Sequence, residues 1–160
     1  MYTHLEDYIY DQYKSIGITE PEQLDMRYIA RKLGVDIVYR KTIFRFGNEV
    51  VLTPGTPAEE WMNFGHEICH YLRHCGNQAN MNPLFIELQE WQADNFALHF
   101  CVPTFMLNRI RLPPDRLAAV YFIAETFNVE IEFAEVRLER YLQKLYSGGF
   151  QIAEKQDQIN

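Results

Sequence analysis

The stretch Asn63-Phe64-Gly65-His66-Glu67-Ile68-Cys69-His70-Tyr71-Leu72 contains the pattern H-E-x-x-H and dominates what the sequence predicts. On an α-helix, His66 and His70 lie four residues apart on one face, so both imidazoles can bind the same metal ion. Glu67 lies about 100° around the helix from His66, where it can reach a water on the metal without being a ligand. Because imidazole pairs suit zinc, the pattern predicts a helical zinc site.

This segment also has the form of an amphipathic helix packed on a core. Thr56 can cap it, Pro57 suits its first position, and Glu59 can reach back to the cap amide. The helix is expected to run to about His74 and to stop at Gly76. One face carries the predicted ligands, and the opposite side carries an apolar cluster of Trp61, Phe64, Ile68, Leu72 and Cys75. The alternative is a pair of surface histidines that bind no metal.

A catalytic zinc needs a third protein ligand. His74 lies about 12 Å from His66 along the helix axis, too far to share one ion, so we interpret it as a group that stabilises the helix end. The helix that begins at Asn82-Pro83 offers a better ligand, Glu90. Glu87 is the rival ligand, because it lies about one turn earlier on nearly the same face.

Asp94 favours Glu90 over Glu87. It lies four residues after Glu90, where it can hydrogen-bond the outer nitrogen of a ligand histidine and set its tautomer. Ala93 and Ala97 are small enough to let this helix approach the first one closely. The alternative is a solvated acidic pair, but apolar residues predict that this helix has few polar sides: Leu84, Phe85, Leu88, Phe96 and Leu98.

The rest of the chain predicts an α+β fold, a mostly helical single domain with a small three-stranded sheet before the H-E-x-x-H helix. Capping and periodicity place further helices at about 4–16, 22–33, 115–127 and 130–146, with a tight corner at Asn128-Val129 and with Gly34 as a C-cap. Alternating β-branched residues place strands at 35–39, 43–46 and 49–52, with Gly47-Asn48 as a turn. The last two helices form a C-terminal hairpin.

Composition excludes some classes of function and indicates a cellular compartment. Acids outnumber bases 22 to 15 in 160 residues, for a net charge of −7, which disfavours a general nucleic-acid or anionic-membrane binder. No apolar run approaches the roughly 20 residues that span a bilayer. Since no export signal is visible, we interpret Cys69, Cys75 and Cys101 as reduced thiols and expect a cytoplasmic protein.

Over roughly residues 25 to 145, the sequence resembles the ImmA/IrrE-type metallopeptidases. The resemblance is carried by Gly65–His70, by Glu90-Trp91-Gln92-Ala93-Asp94-Asn95-Phe96-Ala97 and by Val102-Pro103. It implies that His66, His70 and Glu90 bind one catalytic zinc ion and that Glu67 is the catalytic acid/base. Members of this family are bacterial or phage-borne cytoplasmic proteases that cut helix-turn-helix repressors, so the expected partner is a DNA-binding repressor as substrate, and the expected role is that of an anti-repressor in transcription regulation.

Two positions depart from the family pattern, which usually has Ala before the motif and Gly before its second His. Here these residues are Gly65 and Cys69. Cys69 is interpreted as a small buried side chain, with a thiolate competing for zinc, or a redox switch, as the alternative. These departures are expected to affect packing on the substrate side more than metal binding.

The expected organisation is a metallopeptidase domain over 1–146, with a helical, helix-turn-helix-like subdomain at about 104–146, and a flexible tail at 147–160. The rival hypothesis is a non-proteolytic metal-binding regulator or interaction protein that acts through these C-terminal helices. The segment between Pro103 and Tyr146 contains six basic and six acidic residues. Because its formal charge is therefore zero, direct nucleic-acid binding is not expected. Apolar residues here suit helix packing, or the docking of a protein substrate: Phe122, Phe127, Phe133, Val136 and Leu138.

Overall fold

A computed structural model describes residues 2–40, 47–73 and 82–157 of the chain, with side chains up to residue 147. These residues form a mostly helical single domain with a small parallel sheet, in agreement with the predicted α+β class. The elements are α1 (His4–Ser15), a 3-10 helix (Pro21–Gln23), α2 (Met26–Leu33), β1 (Asp36–Tyr39), β2 (Glu49–Leu52), α3 (Pro57–Arg73), α4 (Pro83–Cys101), α5 (Thr104–Leu107), α6 (Arg116–Phe127) and α7 (Ile131–Asp157).

Side-chain caps determine where the helices begin. Helix α1 begins at a capping box formed by Thr3 and Glu6, and the side chains of Asn82 and Asp115 accept hydrogen bonds from backbone amides at the starts of α4 and α6. The prediction for α2 was wrong at its start. Asp25 accepts a hydrogen bond from the Tyr28 amide at 2.6 Å, so this helix begins at Met26, after a separate 3-10 turn. Gly34 ends it in the left-handed conformation, as predicted.

The sheet joins two of the three predicted strands. β1 and β2 pair in parallel, in a register that runs from Asp36 opposite Glu49 to Tyr39 opposite Leu52. Val50 and Leu52 point into the core. The third predicted strand, at 43–46, lies outside the described residues, so the sheet of the described chain has two strands rather than three.

Aromatic packing holds α4 against α3 and α1. The ring centroids of Trp61 and Phe100 lie 5.7 Å apart, and those of Tyr13 and Phe100 lie 5.0 Å apart. The Tyr13 hydroxyl donates to the Phe100 carbonyl at 2.7 Å, which satisfies a polar group that is fully buried. The faces of α3 and α4 that meet are therefore locked in one orientation, and this positions the site described below.

Three buried polar residues, Glu6, Thr104 and Arg137, and the partly exposed Lys144 form a cluster between α1, α5 and α7, which we call the Glu6 network. Arg137 is 1% exposed and donates to the Val102 carbonyl at 3.0 Å and to the Thr104 hydroxyl at 2.7 Å. Thr104 donates to Glu6 at 2.6 Å, and Lys144 also donates to Glu6. The network ties the C-terminal hairpin to the first helix.

Helix α7 is longer than predicted. It ends at Asp157 rather than near Tyr146, because Gly148 and Gly149 weaken a helix by only about 1 kcal/mol each and do not break one that has already formed. The domain boundary at 146 stays a prediction. Among the apolar residues assigned to packing here, Phe127 and Leu138 are buried, whereas Phe122 and Val136 are exposed. None of the described helices is long and apolar enough to cross a membrane.

Candidate metal centre

Helices α3 and α4 bring three predicted ligands to one point. The Nε2 atoms of His66 and His70 lie 3.1 Å apart. One carboxylate oxygen of Glu90 lies 3.1 Å from Nε2 of His66, and the other lies 3.5 Å from Nε2 of His70. Within the described part of the chain, these residues form the group of His, Cys, Asp and Glu side chains suited to hold a metal ion.

The donor spacing fits a small tetrahedral ion. Zinc binds imidazole nitrogen at about 2.0–2.1 Å, so the edges of a zinc tetrahedron are about 3.3 Å long. The Nε2–Nε2 separation of 3.1 Å lies near that length, as do the separations of 3.1 and 3.5 Å from the two imidazoles to different oxygens of the Glu90 carboxylate. Two imidazoles and one carboxylate also form a donor set of catalytic rather than structural zinc sites. The residues present therefore fit a catalytic zinc ion.

Asp94 contacts His66 as the sequence predicted. Its carboxylate lies 2.9 Å from Nδ1 of His66. A carboxylate there accepts the Nδ1–H hydrogen bond, which fixes the tautomer in which the Nε2 lone pair is directed at the other two donors. Asp94 itself is exposed, at 73% of its side chain. Its position is that of a residue that orients a ligand, and the role stays a prediction.

The remaining acids take different positions. Glu67 lies on α3 beside His66, half-buried and outside the three-donor group, which suits an acid/base better than a ligand. The rival ligand Glu87 is exposed one turn before Glu90 and does not join the donors. His74, interpreted as a helix-end group, lies outside the described residues.

The prediction that Glu90 lies on a helix with few polar sides was wrong for the first half of α4. Phe96 and Leu98 are buried, but Leu84, Phe85 and Leu88 are exposed. The side of α4 that faces the core is defined by Gln89, Ala93, Phe96, Ala97 and Phe100. Glu90 lies at the edge of that side, with 45% of its side chain exposed, so solvent reaches the metal donors.

The two departures from the family pattern, Gly65 and Cys69, both face α4. A Cβ atom at Gly65 would lie 2.6 Å from Sγ of Cys101 and 3.4 Å from Cα of Ala97. The missing side chain therefore makes room for Cys101 and lets the two helices approach closely. This pairing of Gly65 with Cys101 was missed at the sequence level, because the residues that meet are far apart in the chain.

Cys69 is fully buried, with its sulfur 4.0 Å from the Gln92 carbonyl of α4. Burial raises the pKa of its thiol to about 12, against the opposing charge of Arg73 and with help from Glu90. The thiol form is therefore favoured over the thiolate. This supports the interpretation as a small buried side chain, and both described free cysteines, Cys69 and Cys101, are of this kind.

The fold and the site define a helical protein in which an H-E-x-x-H helix and a second helix supply a His, His, Glu donor set. The model of one family, the peptidase M78 family with its IrrE N-terminal-like domain, matches residues 21–139. The chain therefore belongs to this family, which implies a metallopeptidase.

Two curated relatives from Bacillus subtilis (strain 168) are similar over most of the chain. The phage-like element PBSX protein XkdA is 43% identical over 145 residues, covering 87% of this chain and 73% of that protein. The uncharacterized protein YqaB is 36% identical over 149 residues, covering 89% of this chain and 87% of that protein. No solved structure matches the chain.

Proposed function

We propose that this protein is a zinc-dependent endopeptidase that cleaves a helix-turn-helix repressor and so relieves transcriptional repression. The observation that carries the enzymatic part is the convergence of the Nε2 atoms of His66 and His70 with the carboxylate of Glu90 at 3.1–3.5 Å, with Glu67 next to His66 on the same helix. In this proposal, His66, His70 and Glu90 hold the zinc ion and Asp94 orients His66.

A bound zinc ion would polarise the peptide carbonyl and lower the pKa of water toward about 7. Glu67 then acts on protons at both ends of the reaction. Its carboxylate accepts the proton of the attacking water, and the resulting carboxylic acid returns that proton to the nitrogen of the leaving amine. The carboxylate is regenerated when the amine departs. Glu67 directly follows His66 on α3, about 100° around the helix axis, where it can reach a water on the metal without being a ligand.

The choice of a repressor as substrate is supported by the relatives and the family resemblance of the chain rather than by the geometry of the site. One relative is named as a protein of a phage-like element, and the ImmA/IrrE-type resemblance implies a repressor as substrate. A zinc protease that removes a repressor would serve such an element by turning its genes on. In this proposal the protein acts in the cytoplasm, where its substrate is bound to DNA.

The rival role is that of a DNA-binding regulator. It is disfavoured because basic residues of the C-terminal helices are buried or contact other residues of the protein. Arg137 is buried, Lys144 donates to Glu6, and Arg140 donates to Asn95 of α4. Arg116 pairs with Glu135 of the same hairpin at 3.5 Å. These internal contacts leave the hairpin a poor electrostatic footprint for phosphates.

The test is incubation of the zinc-loaded protein with the repressor encoded beside it, followed by mass spectrometry. We expect a discrete pair of fragments from the unsubstituted protein. The Glu67→Gln variant should bind the same amount of zinc, and the rate of fragment formation should fall by about 10²–10⁴-fold. Cleavage by Glu67→Gln at the original rate would remove Glu67 from the mechanism, and the absence of any fragment would remove the repressor as substrate.

A further inference from the structure

The first half of α4 presents an apolar face to solvent. The exposed fractions are 74% for Leu84, 50% for Phe85, 46% for Leu88 and 61% for Trp91. At 100° per residue, Leu84, Leu88 and Trp91 lie within about 60° of one another, on the side opposite buried Ala93. We call the four exposed residues the α4 stripe. Single exposed apolar residues are ordinary, but four large ones on one helix face form the kind of patch that marks an interaction site.

The α4 stripe borders the metal donors. Trp91 directly follows Glu90 in the chain, and Asp94 and Glu87 lie between Glu90 and the stripe around the helix axis. A polypeptide segment bound along the stripe would therefore pass beside the metal centre. This position distinguishes the stripe from the other exposed apolar residues of the described chain, such as Leu117 on α6.

Charge identifies the partner that the stripe fits. From Asn82 to Leu98, α4 carries acids and no Lys, Arg or His, and the exposed Glu87 lies along the edge of the stripe. Apolar residues bordered by acids complement an amphipathic helix whose polar edge is basic. A second copy of this chain docked through its own α4 would set acids against acids, and an anionic lipid surface would be repelled for the same reason.

We propose that the α4 stripe is the docking surface of the protein substrate and that the docked segment is a basic amphipathic helix. The identity of this partner as substrate rests on the proposed function, but docking can be measured without cleavage. Apolar side chains of the segment would cover Leu84, Leu88 and Trp91, and its Lys or Arg residues would approach Glu87. The stripe would thereby select the substrate and deliver it to the adjacent site.

Trp91 makes docking directly observable. The chain has two tryptophans, and the other one, Trp61, is 4% exposed, so a change in solvent exposure seen by fluorescence reports on Trp91. The probe is a synthetic helix of Leu, Ala and Lys, about 18 residues long, added to the zinc-loaded Glu67→Gln variant so that the probe is not cut. We expect a saturable blue shift that weakens with added salt.

Three controls test the assigned partner. A peptide with Glu in place of every Lys and vesicles of phosphatidylcholine with phosphatidylglycerol should give no shift, and sedimentation of the protein alone should show no association dependent on Trp91. An equal shift with the acidic peptide or the vesicles would overturn the proposal. Self-association that is lost in a Trp91→Ala variant would overturn it as well, because the stripe would then be a contact between copies.

The double variant Leu84→Gln/Leu88→Gln tests the stripe itself. We expect it to bind the basic peptide at least about tenfold more weakly, since each leucine loses its burial on docking, with an unchanged Tm and zinc content. Leu117→Gln is the matched control, because Leu117 is an exposed leucine outside the stripe, with an exposed fraction of 61%. This variant should bind the peptide normally. A lower Tm for the double variant would show that the chain itself covers the stripe and would overturn the proposal.

Repressor cleavage separates this proposal from the proposed function. If the double variant cleaves the repressor at the original rate, the stripe is not the docking surface and the protease assignment stands. If the peptide binds through the stripe but no form of the protein cleaves the repressor, the docking surface stands and the proposed function fails.

Discussion

The metal centre and the Glu6 network are both clusters of polar side chains. They differ in whether hydrogen-bond donors and acceptors are matched within the cluster. In the Glu6 network, hydrogen-bond donors meet acceptors: Arg137 and Lys144 are cations, Glu6 is the anion, and the Thr104 hydroxyl links Arg137 to Glu6. In the metal centre, the atoms of His66, His70 and Glu90 that converge are all lone-pair donors. The first arrangement is complete within the chain, whereas the second becomes electrostatically favourable when a cation binds.

Solvent access follows the same division. Arg137 and Glu6 are buried, as expected for side chains whose charges are met internally. Glu90 and Asp94 are open to solvent, as expected for a site that must admit an ion and a substrate. The comparison teaches that convergence alone does not indicate function: the chemical kind of the atoms that converge distinguishes a ligand site from a structural one.

Removal of a ligand should produce the largest effect on zinc binding. We expect Glu90→Ala to weaken zinc binding more than about hundredfold, since even residues that only orient a ligand contribute about 10–100-fold. Glu87→Ala is the matched control, one turn earlier on the same helix, and should keep the original affinity. Competition with a chromophoric chelator measures both. A greater loss in Glu87→Ala than in Glu90→Ala would reverse the ligand assignment.

Breaking the Glu6 network should affect stability and not zinc. Arg137→Met leaves the Val102 carbonyl and the Thr104 hydroxyl without a buried donor and removes a cation near Glu6, so we expect a loss of about 3–5 kcal/mol in the free energy of unfolding. Urea unfolding of the metal-free protein measures this. The folded variant should bind zinc normally. A loss below about 1 kcal/mol would show that the network is dispensable.

The Glu6 network should also give the protein a specific acid sensitivity. Although burial raises the pKa of Glu6, hydrogen bonds from Lys144, Thr104 and Thr3 lower it, to about 2 overall. A folded-state pKa below the unfolded value stabilises the protein above about pH 4.5, and this contribution is lost as pH falls toward 2, by on the order of 3 kcal/mol. The stability advantage of the unsubstituted protein over Glu6→Gln should shrink over that range. A constant difference would contradict the pairing.

Loss of the charge that orients His66 should have the smallest effect. Asp94→Asn keeps an oxygen that accepts the Nδ1–H hydrogen bond but removes the negative charge, so we expect zinc affinity to fall by roughly tenfold. Because Asp94 is exposed, the Tm of the metal-free variant should be unchanged. An affinity equal to that of the original protein would show that the 2.9 Å contact with His66 does not tune the site.

Helix α4 shows where prediction from sequence succeeded and where it stopped. The position of Asp94 four residues after Glu90 predicted its contact with a ligand histidine, because helix periodicity operates within a few residues. The apolar residues Leu84 and Leu88 were expected to pack, but they face solvent. Periodicity shows which residues share a face, but a helix whose apolar residues surround most of its axis gives no signal for which face is buried.

The sequence by itself determined the local features of this protein. The caps at Thr3, Asn82 and Asp115 and the alignment of His66 with His70 depend on residues within one or two helical turns. The position of Asp94 favoured Glu90 over Glu87, but only the tertiary structure decided which of the two meets the imidazoles. That outcome depends on how closely and at what rotation α4 lies against α3, which is set by contacts between distant residues: Gly65 with Ala97 and Cys101, and Trp61 with Phe100.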